Sequence, residues 1–542
     1  MSKIAYYLQE HLNGEVTDSL EVRRYFSHDA SILEIMPSVI IYPANENDIR
    51  KTVRFSWQLA QRNKLLPITA RGGGTDTSGA AIGSGVILAF TAHMNRIMAL
   101  DPKKEVVTVE PGITFQNLQQ TLFTHGLFLP PTPIASGFAT IGGGLANNEV
   151  GEKSVKYGDM RNFVEKLSVV LSNGEVIETG KIGKRELNKK LGLATLEGEI
   201  YRQVDKLIEE NHQLIKDEKS RIRANHNRAG YNIFDVKEKS NFDLTPLFLG
   251  SQGSLGIISE ATLQLVRHNP KAEMAIISLP NIDSLHDMLP QILKLKPSTC
   301  EMINKAAVQQ ITRLNPSQLN GIIDNPTDDI HLIVEFDDGK ESAQKKAIKA
   351  LVKLVSQIDG HWMVARNQEE RDQILKLRRS ISTLLWESPG SSSAIPAAED
   401  VSVPLDRLVE FLRQAHSIYT ANNLVPAMWG HAGDGVVRMQ PVLDLSQVGD
   451  RQRFFKVSDT IYRTAVTMGG SISGSAGDGR VRAPYISHVY GPEMQKLMLA
   501  IKKAFDPYGI LNRGVKTASA DEVKTIMRTS YEIARHEHLP YI

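Results

Sequence analysis

Cysteine is nearly absent from this sequence. A single cysteine, Cys300, occurs among 542 residues. One thiol cannot form a disulfide framework or a cysteine zinc site, and an iron–sulfur cluster needs about four thiolates. The sequence therefore excludes these three kinds of site within the chain, and it is compatible with a reducing compartment.

Long apolar runs and an excess of one charge sign are also missing. No stretch reaches the roughly 18 apolar residues that a membrane helix requires, and residues 1–10 lack the apolar core of a signal peptide. The 63 basic and 61 acidic residues give a net charge of +2, which offers no electrostatic footprint for nucleic acid. We expect a cytoplasmic protein with no transmembrane segment and no nucleic-acid partner, and the sequence also allows peripheral contact at the inner face of a membrane.

The first half of the chain alternates short strands with glycine turns and amphipathic helices. Asn45 is suited to cap a helix in which Ile49, Val53 and Trp57 recur every four residues and share one apolar face. These patterns predict a mixed α+β domain over residues 33–269, preceded by an N-terminal arm over residues 1–32.

The second half repeats a strand–helix–strand pattern. The predicted strands are 274–279, 299–303, 331–336 and 361–365, and the predicted helices between them are 284–295 and 342–358. Two such units indicate a ferredoxin-like α+β layer. We expect this second domain to span residues 270–517 and a helical tail to span residues 518–542.

Two glycine-rich segments stand out, Arg71-Gly72-Gly73-Gly74-Thr75 and the longer run at 140–148. Successive glycines permit positive φ and close backbone approach, and their N–H groups can converge on an anion. Two such loops could grip a diphosphate from two sides, and the alternative is that each is only a tight turn. Neither segment has the Gly-x-Gly-x-x-Gly spacing or a Walker lysine, so a dinucleotide Rossmann site is disfavoured.

An ordered series of motifs carries a family resemblance over residues 36–517. The motifs are Arg71-Gly-Gly-Gly-Thr75, Val109-Glu-Pro-Gly112, Pro130-Pro131, Ala139-Thr-Ile-Gly-Gly-Gly144, Ala146-Asn-Asn148, Lys156-Tyr-Gly158, Gly250-Ser-Gln-Gly-Ser-Leu-Gly256, Glu399-Asp-Val-Ser-Val-Pro404, Gly430-His-Ala-Gly-Asp-Gly435, Ala504-Phe-Asp-Pro507 and Asn512-Arg-Gly514. In this order they resemble the FAD-dependent 2-hydroxyacid dehydrogenases of the vanillyl-alcohol-oxidase superfamily, which include D-lactate dehydrogenases and the glycolate oxidase flavin subunit.

The resemblance implies a fold and a cofactor. The implied fold is α+β, with a two-lobed FAD-binding domain of the vanillyl-alcohol-oxidase (PCMH) type and a ferredoxin-like substrate or cap domain whose last part returns to the flavin. The implied cofactor is FAD, held non-covalently because Thr75 lies near the position where covalent relatives carry a histidine. The motif positions that would contact or support FAD are Arg71, Gly72, Gly73, Gly74, Thr75, Pro131, Thr140, Gly142, Gly143, Asn147, Gly253, Gly256 and Asn512.

The resemblance breaks at the catalytic motif. Relatives often bind a divalent metal with two histidines and a glutamate, and a neighbouring histidine serves as base. Here His431 matches the first histidine, whereas the other three positions fall on Arg438, Ser475 and Ala476. A catalytic zinc site usually has about three protein ligands, so we predict no metal. His431 is then a candidate base, Arg438 a fixed positive charge for the substrate carboxylate, and Arg378 a carboxylate-binding arginine.

Each of these residues also has a structural interpretation. His431 could be a buried hydrogen-bonding histidine, Arg438 could bridge to a carboxylate, and Arg378 could be a solvated charge on a helix. Glu399 and Asp400 are expected to pair with arginines rather than to act in catalysis.

The predicted function is transfer of a hydride from a small 2-hydroxy acid to flavin N5 without a metal. D-Lactate is the leading substrate, with glycolate and 2-hydroxyglutarate as further choices. The alternative is a catalytically altered flavoprotein or an electron-transfer subunit, with an uncharged alcohol as substrate or no turnover of its own. Longer D-lactate dehydrogenases carry an iron–sulfur domain that a chain with one cysteine cannot hold, so we expect the electron acceptor to be an iron–sulfur partner, a quinone, a diffusible acceptor or oxygen.

Overall fold

A computed structural model describes residues 1–314, 316–319, 321–323, 327–386 and 393–529 of the chain. In the first 269 residues the helices are α1 (Lys3–His11), α2 (Leu20–Tyr25), α3 (Glu46–Ala60), α4 (Phe115–Thr124), α5 (Ile141–Asn147), α6 (Ser154–Tyr157), α7 (Lys184–Leu191), α8 (Leu196–Glu210), α9 (His212–Arg221) and α10 (Thr245–Phe248). The strands are β1 (Glu15–Thr17), β2 (Val39–Tyr42), β3 (Ile68–Arg71), β4 (Val86–Ala89), β5 (Ile97–Asp101), β6 (Val106–Val109), β7 (Leu127–Phe128), β8 (Val164–Val170), β9 (Val176–Glu178), β10 (Ile182–Gly183), β11 (Asn241–Phe242), β12 (Ile257–Gln264) and β13 (Val266–Arg267).

Two sheets form the two lobes of this first domain. One has the order β1-β2-β4-β3, with parallel pairing around β4, and the other is antiparallel with the order β5-β6-β12-β8-β9. The side chain of Asn45 accepts a hydrogen bond from the Asp48 N–H, as the predicted cap requires. Ile49 and Val53 on α3 are fully buried, so the predicted apolar face of this helix packs against the core.

The second half supplies the remaining elements. Its strands are β14 (Glu273–Leu279), β15 (Thr299–Asn304), β16 (Ile330–Phe336), β17 (His361–Val364), β18 (Ser393–Ala394), β19 (Val401–Ser402), β20 (Ala427–Gly430), β21 (Val436–Gln440) and β22 (Val442–Leu443). Its helices are α11 (Ser284–Lys294), α12 (Lys305–Leu314), α13 (Glu341–Val355), α14 (Gln368–Trp386), α15 (Leu408–Thr420), α16 (Val448–Thr467), α17 (Ile486–Val489), α18 (Pro492–Phe505) and α19 (Ala520–Thr525).

A seven-stranded antiparallel sheet organises this half, with the order β17-β14-β16-β15-β20-β21-β19. Its first four strands have the split order of a ferredoxin-like layer, because each strand–helix–strand unit leaves room for a strand of the other unit between its own two. The predicted ferredoxin-like layer is therefore confirmed. Strands β20, β21 and β19 extend the sheet and bring the segments around residues 399–440 to the first domain.

The chain returns to the first domain after α18. The Ile68 N–H donates to the Ile510 carbonyl at 2.7 Å, and the Asn512 N–H donates back to the Ile68 carbonyl at 2.8 Å. Residues 510–512 thus line the open edge of β3, and Leu33 forms a β-bridge with Met527. Helix α19 lies within the predicted tail, and residues 530–542 of that tail lie outside the described residues.

Ion pairs between two lysines of the first domain and two buried carboxylates of the second also join the two domains. The Lys153 ammonium lies 2.5 Å from a Glu335 carboxylate oxygen and 3.1 Å from one of Asp337, and Lys156 reaches Asp337 at 2.5 Å. Burial alone would lower the pKa of Lys153, but the two carboxylates outweigh it and raise that pKa above its ordinary value.

Among the residues described, no helix combines the length and the apolar character needed to cross a membrane.

Candidate active site

A cavity of about 520 Å³ lies where the two domains meet. This volume is in the range of small-molecule sites. Most of the sequence-predicted site residues line it, namely Arg71, Gly72, Gly73, Gly74, Thr75, Thr140, Gly142, Gly143, Asn147, Gly253, Gly256, Arg378, His431 and Arg438. Pro131 and Asn512 do not line it. The structure thus brings glycine segments and catalytic candidates that are up to 367 positions apart (Arg71 to Arg438) into one site.

The first glycine segment offers unused donors to this cavity. No hydrogen bond within the described part of the chain engages the backbone N–H groups of residues 72–77. Gly74 has a φ of +74°, and a side chain on Gly73 would place its Cβ 2.1 Å from the Phe138 carbonyl oxygen. Only glycine permits this close packing and this backbone turn. The segment has the properties of an anion-binding nest.

The second glycine segment is a helix rather than a loop. Thr140 caps helix α5, and the N–H groups of Ile141, Gly142 and Gly144 donate to backbone carbonyls while that of Gly143 donates to the Thr140 hydroxyl. The expectation that this segment is a second anion-binding loop is therefore wrong, because its amide donors are already used. Its glycines present a flat backbone surface to the cavity instead.

Three of the predicted cofactor positions, Arg71, Pro131 and Asn512, pack against or hydrogen-bond to other parts of the protein. The Arg71 guanidinium donates to the carbonyls of His28 and Ala81 and lies over the Phe26 ring. The Asn512 amide donates to the carbonyls of Ala80 and Gln252, which holds two cavity-lining segments together. Pro131 is buried, and a Cβ on Gly151 would lie 2.9 Å from its Cα.

A buried carboxylate links two of the catalytic candidates. Glu301 accepts hydrogen bonds from Arg378 Nε at 3.0 Å and Nη2 at 2.7 Å on one oxygen, and its other oxygen lies 2.5 Å from His431 Nδ1. An ionised carboxylate can only accept, so Nδ1 carries the proton and Nε2 is left with a lone pair in the neutral ring. Arg378 is buried, so the interpretation of this residue as a solvated charge is wrong.

Arg438 lies in a separate cluster on β21. It donates to Glu399 and to the Ser475 hydroxyl, lies 4.0 Å from Asp400 and stacks over the Trp429 ring at 5.1 Å. Burial would lower the pKa of Arg438, but Glu399 and Asp400 outweigh burial and raise it above its ordinary value. The expected pairing of Glu399 and Asp400 with arginines is confirmed, and Arg438 reaches the cavity with its charge largely compensated.

Several buried polar atoms of this wall have no hydrogen-bond partner among the residues that the structure describes. They are Arg378 Nη1, Glu399 Oε2, Trp429 Nε1, Arg438 Nε and Gln440 Oε1, and all five side chains line the cavity. An unpaired buried polar atom is costly. The side chains of this wall therefore carry donors and acceptors whose hydrogen-bonding capacity is not met by the described residues.

Glu149 is a cavity-lining residue that the sequence did not reveal. Asn148, with a φ of +51°, ends helix α5 and turns the chain so that Glu149 faces the cavity. Burial raises the pKa of Glu149 to about 7, opposed by Arg438 and reinforced by Asp400. Glu301 and Glu149 both lie outside the recognised motifs. For Glu301 the sequence offers one signal, a glutamate within the otherwise apolar strand β15. For Glu149 it offers none.

The comparisons with known proteins follow this division into two domains. Residues 37–180 match the FAD binding domain family, and residues 269–515 match the family of FAD linked oxidases, C-terminal domain. In the part of the chain that the structure describes, no group of three or more His, Cys, Asp or Glu residues is placed to hold a metal ion.

Two curated relatives and one solved structure illustrate the similarity. The D-2-hydroxyglutarate dehydrogenase of Escherichia coli is 29% identical over 93% of this chain and 50% of its own length, and the glycolate oxidase subunit GlcD of Bacillus subtilis is 28% identical over 92% of this chain and 93% of its own. The chain thus spans about half the length of the first of these relatives. The 4-ethylphenol oxidase from Gulosibacter chungangensis has a TM-score of 0.70 at 15% identity, with 96% of this chain and 98% of that chain covered. This likeness concerns the fold alone, and it confirms the predicted two-domain α+β architecture.

Proposed function

Because this chain carries the FAD binding domain and the C-terminal domain of the FAD linked oxidases, we propose that it oxidises a small 2-hydroxy acid without a bound metal. The relatives named for D-2-hydroxyglutarate and glycolate support this substrate class. D-Lactate remains the leading substrate, and a separate protein or a diffusible molecule takes the electrons. The site is proposed to act in a cytoplasmic protein.

The first glycine segment is suited to hold FAD non-covalently. The free N–H groups of residues 72–77 would bind its diphosphate, and the flat surface of Gly142 and Gly143 would lie beside the ring system. When bound, FAD supplies the hydride acceptor for the reaction. No histidine occurs within residues 71–77, in keeping with non-covalent attachment.

The observation that carries the proposal is the bridge through Glu301. This carboxylate fixes Arg378 by two hydrogen bonds and leaves its Nη1 free, and it fixes the His431 ring with Nε2 free. We assign Nη1 to the substrate carboxylate and Nε2 to the substrate hydroxyl, whose proton His431 accepts. Arg438 Nε adds a donor on the same wall, which suits a second oxygen of the substrate.

Anaerobic titration of the purified FAD-loaded protein tests the proposal. Addition of D-lactate, L-lactate, glycolate or D-2-hydroxyglutarate in separate samples should bleach the long-wavelength flavin absorbance for one of these acids. Bleaching by none of them, together with bleaching by an uncharged alcohol, would favour the alternative of a changed substrate. The compensated charge of Arg438 is the observation that favours this alternative.

Metal removal should leave turnover unchanged. His431 is the single histidine of the altered motif, since Arg438, Ser475 and Ala476 occupy the other positions. We expect dialysis against a chelator to change kcat and KM by less than about twofold, since a catalytic zinc site needs about three protein ligands. Stoichiometric zinc by elemental analysis, with activity lost on chelation and regained with zinc, would contradict the metal-free assignment.

A further inference from the structure

Glu149 is a carboxyl group that the proposed reaction does not use. It lines the cavity on the first-domain wall. Within the described residues no hydrogen bond engages its side chain, although its backbone N–H and carbonyl are both paired. A carboxylate with neither hydrogen-bond donors nor an ion pair in contact is poorly stabilised in a partly buried position. Its placement therefore points to a role that depends on the ligand.

The backbone around Glu149 is fixed against the altered catalytic motif. Arg228 donates from Nε to the Asn148 carbonyl at 2.6 Å and also donates to the Gly474 carbonyl, and the Gly477 N–H lies 3.4 Å from Asn147 Oδ1. Residues 147–149 and 474–477 therefore lie side by side. Ala476, which lines the cavity, leaves room there for a ligand rather than filling it with a side chain.

The charges around this wall are balanced without Glu149. Three arginines, Arg378, Arg438 and Arg482, are matched by three carboxylates, Glu301, Glu399 and Asp400. An ionised Glu149 would add a fourth negative charge to a site that must accept a substrate carboxylate. Like charges close together in a partly buried site disfavour each other.

The remaining charged groups near Glu149 do not relieve this excess. Arg228 is paired with Asp159 at 2.7 Å, and it is separated from the cavity by the Asn148 backbone that it binds. Asp76 is itself negative, and its carboxylate accepts from the Ser78 and Ala80 N–H groups. Arg438, Asp400, Arg228 and Asp76 are the charged groups that influence the Glu149 carboxyl most.

We infer that Glu149 is a specificity-determining residue that must carry a proton when the anionic substrate binds. The neutral acid removes the excess negative charge and provides an O–H donor to the substrate, whereas the ionised form repels it. This inference rests on the proposed function, because it assumes that the ligand is a carboxylate. The pKa of about 7 makes the two forms comparable in population near neutral pH.

The pH dependence follows from this assignment. Below pH 7 Glu149 is already protonated, so KM for a hydroxy acid is low and constant. Above pH 7 each binding event must take up a proton, so KM rises about tenfold per pH unit. Glu149→Gln fixes the neutral form, and its KM should stay flat over the same range and fall well below that of the unaltered protein at pH 9.

Binding of a non-reacting dianion separates this inference from the proposed turnover. Oxalate is titrated into the FAD-loaded protein by calorimetry at pH 8 in two buffers of different ionisation enthalpy, which reports the protons taken up on binding. We expect close to one proton per oxalate for the unaltered protein and none for Glu149→Gln. This result would support the role of Glu149 even if no hydroxy acid bleached the flavin.

Matched variants complete the test. Glu149→Asp should keep the proton uptake, since it keeps a titrating carboxyl, with a displaced pH midpoint. Glu260→Gln removes another carboxyl whose pKa is raised by burial, on β12 and outside the cavity, and it should leave proton uptake unchanged. Persistence of uptake in Glu149→Gln would overturn the inference, as would a fall in its kcat of about a hundredfold or more at every pH, because that fall would assign the substrate's hydroxyl proton to Glu149.

Discussion

Replacement of His431 with glutamine is expected to lower kcat about a thousandfold, within the range of general-base contributions, while FAD stays bound. Glutamine can still donate a hydrogen bond to Glu301, but it offers no basic nitrogen to the substrate hydroxyl. KM should change much less than kcat, because Arg378 still binds the carboxylate. Single-turnover reduction of the flavin, followed by stopped-flow absorbance, measures the chemical step directly.

A second buried histidine provides the control for this change. His331 on β16 is fully buried, pairs with the Ser278 hydroxyl at 2.7 Å and lies outside the cavity. Burial lowers the pKa of His331 to about 4, so this ring is neutral at the pH of the assay. His331→Gln should leave the reduction rate within about twofold. A His431→Gln protein that kept a tenth or more of the original rate would show that the proton goes elsewhere.

Replacement of Glu301 with glutamine should have the largest effect on stability. The Glu301 and Arg378 side chains are 3% and 4% exposed, so loss of the carboxylate leaves a buried guanidinium without its counter-charge. Breaking such a pair by removing one partner costs about 3–5 kcal/mol. The same change releases the His431 ring from its fixed orientation, so kcat should fall about ten- to a hundredfold. Chemical denaturation and steady-state kinetics on the same preparation measure both effects.

A double variant separates the structural from the catalytic contribution of Glu301. Glu301→Met combined with Arg378→Met removes both charges and replaces them with side chains of similar length. Most of the lost stability should return, because paired buried charges can often be exchanged for apolar groups at little cost. Activity should not return, because the carboxylate-binding Nη1 and the support of His431 are both gone. Recovery of activity along with stability would mean that the bridge serves folding alone.

The parts of the fold that the sequence predicted are those with a strong local pattern. The alternating strands and amphipathic helices between residues 273 and 364 bury apolar residues at regular spacing, and the ferredoxin-like layer followed from them. The local sequence pattern did not predict which segments pair at the edges of the sheets. β1 joins the first sheet and residues 510–512 join β3 through pairings that are remote in sequence, and no local periodicity reports a remote partner.

The site was predicted where motifs fix the backbone and missed where single side chains act. The segment at residues 71–75 was recognised from its glycines, but the same reasoning failed for α5. Glycine has a low intrinsic helix propensity, which favoured a loop at this segment. The sequence signal for a helix was Thr140, whose side chain caps its N-terminus. Glu301 and Glu149 were missed because a single carboxylate acquires its role only from neighbours that the fold supplies.

The return of residues 510–528 to the first domain also determines the order in which the protein can become functional during synthesis. Asn512 fastens the segments at residues 80 and 252, and Arg528 lines the cavity. These residues are synthesised after most of the second domain, although the strand edge that they complete begins near residue 68. Because chains are synthesised from the N-terminus, the edge of strand β3 stays unpaired while more than 400 further residues are made (68 to 510). The cavity for the cofactor is therefore complete only after residues 510–528 have been synthesised.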